Sequence, residues 1–335
     1  MKILMVAKDA STLRPGTGAF SRMEAYRKLV DDLRIVSIDS RGIFVDPQGL
    51  RGFKPDLVTA QDPFETGLLA IFLAWWYGAS CELQVHTDFL SSFFGDSLRN
   101  KVRIKIGKWT LPRADCIRVV SKRIKASLAQ ISPDLASRAR VLPIAVDFEL
   151  QKAAPIVTDL RKKYPGFKKR ILMASRLTRE KDISLALRVF PRILSEHPST
   201  ALIIVGEGPF ASVLKNEVVR LGIEKNVFFE PWSSDLPSYY KTADLYLLTS
   251  LYEGYSLALL EAATCECQIV SSDVGCVGYE LDRDSIDVFV PHDEESLHSA
   301  LRTAIQVKKT PHITEQLLSK EQFLKSMKNN WHSCS

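Results

Sequence analysis

Residues 243–265 read ADLYLLTSLYEGYSLALLEAATC. The apolar run from Asp244 to Thr249 predicts a buried strand of a parallel sheet. A turn containing Gly254 should follow, and LALLEAA then has strong helix propensity, with Ser256 as the expected N-cap. In open α/β sheets ligands bind at such junctions, where the free N–H groups of a helix start attract phosphate. The stretch therefore predicts a phosphate-binding site in an α/β protein.

Two carboxylates flank this junction. Glu253 lies in the predicted loop, and Glu261 lies on the predicted helix among apolar neighbours. A carboxylate on an otherwise buried helix start needs partners, and a ribose diol supplies two hydroxyl donors for its two oxygens. Taken alone, a solvent-facing Glu261 and a turn residue Glu253 are the commoner arrangement. Their pairing at the junction favours a nucleotide site.

The segment EGYSLALLE resembles the paired-glutamate motif of the family 4 glycosyltransferases, which are retaining, nucleotide-sugar-dependent enzymes of the GT-B fold. The resemblance implies that Glu261 holds the nucleotide ribose and that Glu253 contacts the donor sugar. It also implies that loop amides lie against the sugar and phosphate. These donor-binding amides belong to Tyr255, Ser256 and Leu257.

A cationic loop follows the strand predicted within residues 169–182, which read KRILMASRLTREKD. Cations placed after a parallel strand can neutralise a pyrophosphate. The resemblance assigns this role to Arg176 and Lys181, which would stabilise the charge that develops on a departing diphosphate. A charged surface loop is the alternative. Further along, Gly206 in the GEGP turn would let the chain turn beside the nucleotide.

Strands and helices also alternate through the N-terminal half, which is typical of a doubly wound parallel sheet. The loop after the first strand contains Gly16 and Gly18. It does not match the dinucleotide fingerprint GxGxxG, and this disfavours an NAD-linked oxidoreductase. A glycine loop at this place resembles the one that covers the active cleft in the family, so both glycines are donor-site candidates. It departs from the family's usual double glycine, and a flexible surface loop is the alternative.

His86 ends a strand predicted at residues 81–86, where a side chain can face a ligand. The resemblance implies that His86 lies near the donor sugar and its β-phosphate, and that Asp88 lies near the acceptor. A histidine hydrogen-bonded at a strand end is the alternative. The predicted catalytic residues are therefore His86, Arg176, Lys181 and Glu253.

A basic segment follows at residues 99–125, with ten basic side chains and one acidic one, Asp115. Apolar residues such as Trp109 interleave with the basic ones, and Trp75 and Trp76 end the preceding predicted helix. A basic amphipathic segment with tryptophan indicates a surface for anionic lipid. A solvated helix face is the alternative. No nucleic-acid module accompanies the segment, so we expect no nucleic-acid partner.

The composition is that of an ordinary soluble globular protein, with 46% hydrophobic and 25% charged residues in 335. The six cysteines lack paired C-x-x-C spacing, so structural zinc is not expected, and Cys265 and Cys267 are expected to be core thiols. The resemblance to GT-B enzymes, which hold the diphosphate with side chains and helix ends, implies that no metal is needed. The first apolar run is too short for a signal peptide, and the uncharged stretch at 66–81 is too short for a membrane span. We therefore expect a cytoplasmic protein with reduced thiols. The basic segment adds a peripheral position on the inner face of the plasma membrane as an option.

The predicted architecture is GT-B: two Rossmann-like domains with a cleft between them and a C-terminal helix that crosses back. The N-terminal acceptor domain should span residues 1–150, the nucleotide-sugar domain 151–312 and the returning helix 313–335. The predicted activity is retaining hexosyl transfer from a nucleoside-diphosphate sugar to a glycan or lipid-linked acceptor, without a further cofactor. A GT-B epimerase and a silent, membrane-associated binding subunit are alternatives, and departures from the family pattern at 276–282 keep the latter open. The sequence does not decide the sugar, base, acceptor, pathway or oligomeric state.

Overall fold

The chain divides into two compact units, each with its own core. Unit 1 comprises Met1–Ala145 with Leu318–Ser335, and unit 2 comprises Val146–Leu317. The domain boundaries predicted after residues 150 and 312 lie a few residues from these limits. The computed structural model describes residues 1–39, 42–145, 148–314 and 317–334.

A seven-stranded sheet forms the centre of unit 1, and a six-stranded sheet forms that of unit 2. The strands of unit 1 are β1 (Lys2–Ala7), β2 (Asp32–Asp39), β3 (Gly42–Val45), β4 (Leu57–Ala60), β5 (Ser80–Val85), β6 (Cys116–Val119) and β7 (Ala139–Val141). Those of unit 2 are β8 (Lys169–Ala174), β9 (Thr200–Val205), β10 (Val227–Glu230), β11 (Leu245–Leu248), β12 (Ile269–Ser272) and β13 (Asp287–Phe289).

The strand orders are β3-β2-β1-β4-β5-β6-β7 and β10-β9-β8-β11-β12-β13. Strand β3 is antiparallel to β2, and the sequence prediction missed this short edge strand; the other pairings are parallel. In both sheets the order reverses beside the first strand, between β1 and β4 and between β8 and β11. Ligands bind at such switch points, outside the carboxyl ends of the strands.

The helices alternate with these strands, as the sequence predicted. They are α1 (Gly18–Arg27), α2 (Glu65–Tyr77), α3 (Leu98–Thr110), α4 (Lys122–Ser127), α5 (Pro133–Arg138), α6 (Phe148–Ala153), α7 (Leu160–Lys163), α8 (Ile183–Glu196), α9 (Ala211–Leu221), α10 (Leu236–Thr242), α11 (Leu257–Thr264), α12 (Glu294–Gln306) and α13 (Lys320–His332). With two mostly parallel sheets, the protein has a two-domain α/β fold of the GT-B class.

Local capping fixes where two helices begin. Helix α1 begins at Gly18, where the Thr17 side chain accepts the N–H of Phe20. Helix α13 was predicted from Ile313. It begins at Lys320, after a capping box between Ser319 and Gln322. Strand β7 ends at Val141, and residues 146 and 147 lie outside the described residues.

Helix α13 belongs to the core of unit 1, although the sequence places it at the far end of the chain. Its Met327 and Trp331 are fully buried together with Ile3 and Met5 of β1. Tyr26 of α1 meets Trp331 edge-on, with ring centroids 5.5 Å apart. Burying side chains of this size stabilises a fold by roughly 1.5–3 kcal/mol each, so α13 is an integral part of unit 1.

A disulfide joins Cys116 of β6 to Cys334 just after α13, with the Cα atoms 5.8 Å apart. The prediction of reduced thiols is therefore wrong for this pair, because α13 packs its last turn beside β6. Cysteine usage consequently no longer supports a cytoplasmic location. Within the ranges that the structure describes, no helix has the length and apolar character needed to cross a bilayer.

Candidate functional site

The loops after β8 and β11 meet at the switch point of unit 2. Backbone and side-chain hydrogen bonds tie the two loops together: the N–H of Leu251 donates to Glu180 O at 2.8 Å, and the Thr249 hydroxyl donates to Lys181 O at 2.7 Å. This brings Lys181 Nζ within 2.5 Å of Glu253 Oε1. Two predicted catalytic residues thus form an ion pair, with side chains 14% and 15% exposed.

Glu253 and Arg176 are held in different ways. The Ser250 hydroxyl also donates to Glu253 Oε1, at 2.7 Å, so this carboxylate has two fixed partners. Arg176 is 74% exposed, and its guanidinium donates to Glu180 Oε1 at 3.1 Å. An exposed ion pair of this kind is worth little. Arg176 is therefore available to reach an anion beside these loops. We call the loops after β8 and β11, together with the start of α11, the unit 2 crevice.

The start of α11 is not capped as the sequence predicted. Ser256 occupies the N-cap position, but with φ +66° in the left-handed region its side chain makes no capping hydrogen bond. The residue is buried, and its hydroxyl has no partner among the described residues. Gly275 makes this packing possible, because a Cβ there would lie 2.1 Å from Ser256 Oγ. A buried hydroxyl and uncapped N–H groups at a helix start are groups that can bind an anion.

Glu261 is half-buried and has two protein partners. Tyr240 donates its hydroxyl to Oε2 at 3.3 Å, and the Gln151 amide donates to Oε1 at 3.2 Å. Burial, followed by the neighbouring Tyr246 and the Glu261 charge, raises the pKa of Tyr240, so its phenol remains a donor. The sequence analysis missed Gln151 and Tyr240, because nothing in their local pattern connects them with Glu261. Gln151 Oε1 is buried without a partner within the described ranges.

Gly206 supports the cationic loop. At φ +143° a Cβ on it would lie 1.9 Å from Ser175 O, so only glycine lets the loop after β8 pack against this turn. The N–H of Leu177 donates to Glu207 O at 2.8 Å across the same contact. In this structure Gly206 thus positions the segment that carries Arg176.

The donor-loop amides lie close to the segment that departs from the family pattern. Tyr255 is buried and Leu257 is half-buried, and both flank Ser256. Cys276, from the departing segment 276–282, is fully buried, with its thiol 4.0 Å from Ser256 O. Cys276 of the departing segment therefore contacts the loop that carries the predicted donor-binding amides.

Unit 1 has a cavity of about 370 Å³ at the carboxyl end of its sheet. His86 lines it, and Nε2 of the ring lies 3.0 Å from Gln84 Oε1. Burial, followed by Arg118 and Arg22, lowers the pKa of His86 to about 3. The ring is thus neutral at physiological pH. Four cationic residues line the same cavity: Lys8, Arg22, Arg103 and Arg118.

Three other predicted site residues of unit 1 are not among the residues that line this cavity. Gly16 and Gly18 are exposed, and Gly18 is the first residue of α1. Burial raises the pKa of Asp88, with Ser127 and Arg123 acting in the opposite direction. Asp88 therefore lies towards α4, and its role near an acceptor stays a prediction.

The basic segment 99–125 divides into exposed and buried parts. Arg118 of β6 is buried, and Arg103 Nε donates to Glu65 Oε1 at 2.9 Å, so neither belongs to a free surface. The remaining surface carries an apolar stripe on each of two neighbouring helices, α2 and α3, which we call the α2–α3 stripe. Its exposed residues are Leu68, Phe72, Trp75, Trp76, Leu98, Val102 and Trp109. Exposed cations flank it: Arg99, Lys101, Lys105, Lys108 and Arg113.

Across the described ranges, no group of three or more His, Cys, Asp or Glu side chains is arranged to hold a metal ion. The charged groups of the unit 2 crevice are instead Arg176, Lys181, Glu253 and Glu261.

Several known proteins with similar sequences are named as glycosyltransferases. The Escherichia coli UDP-Gal:alpha-D-GlcNAc-diphosphoundecaprenol alpha-1,3-galactosyltransferase is 27% identical over 250 residues, or 68% of this chain and 62% of that enzyme. A Campylobacter jejuni N-acetylgalactosamine-N,N'-diacetylbacillosaminyl-diphospho-undecaprenol 4-alpha-N-acetylgalactosaminyltransferase is 28% identical, covering 63% of this chain and 55% of its own length. The chain thus spans less than two thirds of these two relatives.

Solved structures with the same fold cover both units. Anabaena HepE, solved with UDP-glucose, has a TM-score of 0.68 at 18% identity, covering 99% of this chain and 94% of that one. A Thermosynechococcus elongatus sucrose-phosphate synthase has a TM-score of 0.71 at 15% identity, covering 100% and 95%. The family model "Glycosyl transferases group 1" matches residues 158–316, and "Glycosyltransferase Family 4" matches residues 30–150. The chain therefore belongs to glycosyltransferase family 4.

Proposed function

We propose that this protein is a retaining hexosyltransferase that uses a nucleoside-diphosphate sugar, with UDP as the best-supported carrier. The observation that carries the proposal is the unit 2 crevice. There the Lys181–Glu253 pair lies beside the α11 helix start, with its unpartnered, buried Ser256 hydroxyl. HepE was solved with UDP and with UDP-glucose, and the E. coli relative is named for UDP-galactose. These names support the choice of UDP.

The residues of the crevice suit the departure of a diphosphate. The α11 helix start and the Ser256 hydroxyl would bind phosphate oxygens, while Arg176 and Lys181 would balance the charge that develops on them. Glu253 would accept hydroxyls of the sugar, and Glu261 those of the ribose. The bond from the anomeric carbon to the diphosphate breaks as the acceptor oxygen attacks the same face. The acceptor proton passes to the leaving diphosphate oxygen.

The cavity of unit 1 favours an acceptor with an anionic group. Of its cations, Arg22 has no ion-pair partner among the described residues, and Lys8 has acidic groups only at 3.7 and 3.9 Å. A diphosphate that links a sugar to a lipid has the charge and size for such a cavity. The two relatives described above are named for diphosphoundecaprenol-linked substrates.

The α2–α3 stripe supports a lipid-linked acceptor and a peripheral position on an anionic membrane. Trp75 is 75% exposed and Trp76 is 67% exposed, although large apolar side chains are normally covered. Flanking lysines and arginines would each contribute about 1 kcal/mol near an anionic lipid surface. Helices that lie in the membrane interface combine these two features.

Vesicle co-sedimentation tests this surface. The protein should pellet with phosphatidylglycerol vesicles and stay in solution with phosphatidylcholine vesicles. A Trp75→Ser/Trp76→Ser double variant should bind about tenfold more weakly, whereas Trp232→Ser, at an exposed tryptophan of unit 2, should bind as the wild type does. Equal binding by the double variant and the wild type would rule the surface out.

A transfer assay tests the activity itself. UDP-hexoses are incubated with a sugar diphospholipid, and UDP release and the anomeric configuration of the product are measured. We expect UDP release that depends on the acceptor and a product that retains the α configuration. Loss of donor without an acceptor would indicate an epimerase. Binding without turnover of any acceptor would indicate a silent subunit.

A further inference from the structure

A ladder of polar side chains crosses the buried face of the unit 1 sheet. Thr59 of β4 is in register with Glu82 of β5, and Gln84 of β5 is in register with Arg118 of β6. All four side chains are buried. The Thr59 hydroxyl donates to Glu82 Oε2 at 2.6 Å, and the Gln84 amide donates to Thr59 Oγ1 at 3.0 Å. We call these four residues the Glu82 ladder.

Helix α13 completes the hydrogen bonding of this ladder. Trp331 donates its indole N–H to Glu82 Oε2 at 3.2 Å, and the Asn330 amide donates to Glu82 Oε1. The Phe323 ring lies under the Arg118 guanidinium, 5.5 Å from its central carbon. A buried carboxylate requires such donors, because leaving it short of partners is expensive. The position of Glu82 therefore depends on α13.

The ladder fixes which end of the Gln84 amide faces His86. Arg118 Nη1 donates to Gln84 Oε1 at 2.9 Å, and a guanidinium can only donate. The amide nitrogen of Gln84 faces acceptors, namely Thr59 Oγ1 and Glu82 Oε2 at 3.0 and 3.3 Å. Gln84 Oε1 is thus an acceptor, and His86 Nε2 at 3.0 Å from it must carry the proton.

We infer that Gln84 is a positioning residue that holds His86 as the Nε2–H tautomer and leaves the Nδ1 lone pair to accept a hydroxyl in the unit 1 cavity. Nδ1 has no partner among the described residues, and His86 lines the cavity. Helix α13 supports this arrangement through Glu82. That the hydroxyl belongs to a substrate rests on the proposed transferase function, whereas the tautomer itself does not.

The tautomer is measured by two-bond ¹H–¹⁵N spectra of the full chain, labelled at its six histidines. A His86→Gln variant assigns the His86 signals by their loss. We expect a protonated Nε2 and a bare Nδ1 that remain unchanged between pH 8 and pH 5. A protonated Nδ1, or a ring that gains a proton near pH 6.5, would overturn the inference. This measurement on the wild type does not depend on whether a ladder variant folds.

A matched pair of variants then tests Gln84. Gln84→Met keeps the length of the side chain and removes the acceptor, so His86 should show mixed tautomers and kcat/KM should fall about tenfold, as for one lost hydrogen bond. Gln268→Met removes a buried glutamine of unit 2 that donates to Ala304 O and Val307 O. Gln268→Met should lower the free energy of unfolding about as much as Gln84→Met does, and it should leave the His86 signals unchanged. A Gln84→Met protein with the wild-type tautomer and kcat/KM would contradict the role of Gln84.

The two proposals fail in different ways. If no donor and acceptor pair gives transfer while His86 keeps the Nε2–H form, the proposed function fails and the positioning of His86 stands. If transfer occurs and His86 carries its proton on Nδ1, the positioning of His86 fails and the transferase stands.

Discussion

The crevice of unit 2 and the Glu82 ladder of unit 1 use similar polar groups in opposite surroundings. In the crevice, Arg176 is largely exposed, and the Ser256 hydroxyl has no partner within the described ranges. In the ladder, the fully buried Glu82 accepts hydrogen bonds from four side chains. Groups with unused bonding capacity can bind a ligand, whereas groups whose bonds are satisfied within the protein hold one geometry. We therefore expect variants of the crevice to change turnover with little effect on stability, and variants of the ladder to change stability together with the state of His86.

The largest expected effect is the loss of the exposed crevice arginine. Arg176→Ala should lower turnover by about 10²- to 10³-fold, as is typical when a group that stabilises transition-state charge is removed. Its free energy of unfolding should change by less than about 0.5 kcal/mol, because the side chain is exposed. Steady-state kinetics and urea unfolding measure the two quantities. Arg192→Ala, at another exposed ion pair of unit 2, is the control and should change neither. Unchanged turnover in folded Arg176→Ala would refute the assignment.

The disulfide that fastens α13 should have the next largest effect. Replacing Cys116 and Cys334 by serine should lower the free energy of unfolding by about 2–4 kcal/mol, since the bond closes a long loop of the unfolded chain. Denaturant unfolding without reductant measures this. Cys265→Ser, at a free and half-buried cysteine, is the control. Equal midpoints for the double variant and the wild type would show that α13 does not need the bond.

His86 should make unit 1 less stable in acid. Its pKa is lowered from 6.5 to about 3, so between these values the unfolded chain binds a proton that the folded chain rejects. The neutral ring therefore contributes its full stabilisation above pH 6.5, and this contribution is lost as the pH decreases towards 3. Between pH 7.5 and pH 5 the free energy of unfolding should decrease by about 1–2 kcal/mol. Denaturant unfolding at pH 7.5 and pH 5 measures how the free energy of unfolding depends on pH, and His86→Gln should make this dependence smaller. The same slope in both proteins would mean that His86 titrates normally.

The smallest expected effect concerns the packing beneath the α11 start. Gly275→Ala would place a Cβ 2.1 Å from Ser256 Oγ, so the anion site must shift and donor affinity should fall about tenfold. Gly278 has a similar positive φ, +77°, but nothing within 4 Å of an added Cβ. Gly278→Ala therefore also places an alanine at a positive φ, but its Cβ meets no neighbouring atom. This variant should bind the donor as the wild type does. Calorimetric titration with UDP compares the two, and equal affinities would show that this contact does not shape the site.

The crevice could be predicted because its residues follow their strands directly. The sequence placed Lys181 after β8 and Glu253 after β11, and neighbouring parallel strands bring such loops together. The partners of Glu261 were missed, because Gln151 lies 110 positions away and Tyr240 lies on another helix. The predicted side-chain cap at Ser256 was wrong, because the residue has a left-handed backbone and its hydroxyl packs against Gly275, which is distant in sequence.

The Glu82 ladder could not be predicted in the same way. In CELQVH the alternation of Glu82 and Gln84 reads as the polar face of a half-exposed strand. Helix α13, which supplies Asn330 from 248 residues further along the chain, covers that face and provides two of the donors to the carboxylate. The Cys116–Cys334 bond spans 218 residues and carries no local signal for the same reason.

The most direct test of the central claim is a thermal-shift panel of nucleoside diphosphates and their sugars, run on the wild type and on Arg176→Ala. A ligand that binds only the folded state raises the unfolding midpoint by mass action. We predict that one diphosphate, UDP, and one of its sugars stabilise the wild type, and that they stabilise Arg176→Ala less. If no nucleotide shifts the midpoint of the folded wild type, the unit 2 crevice is not a donor site.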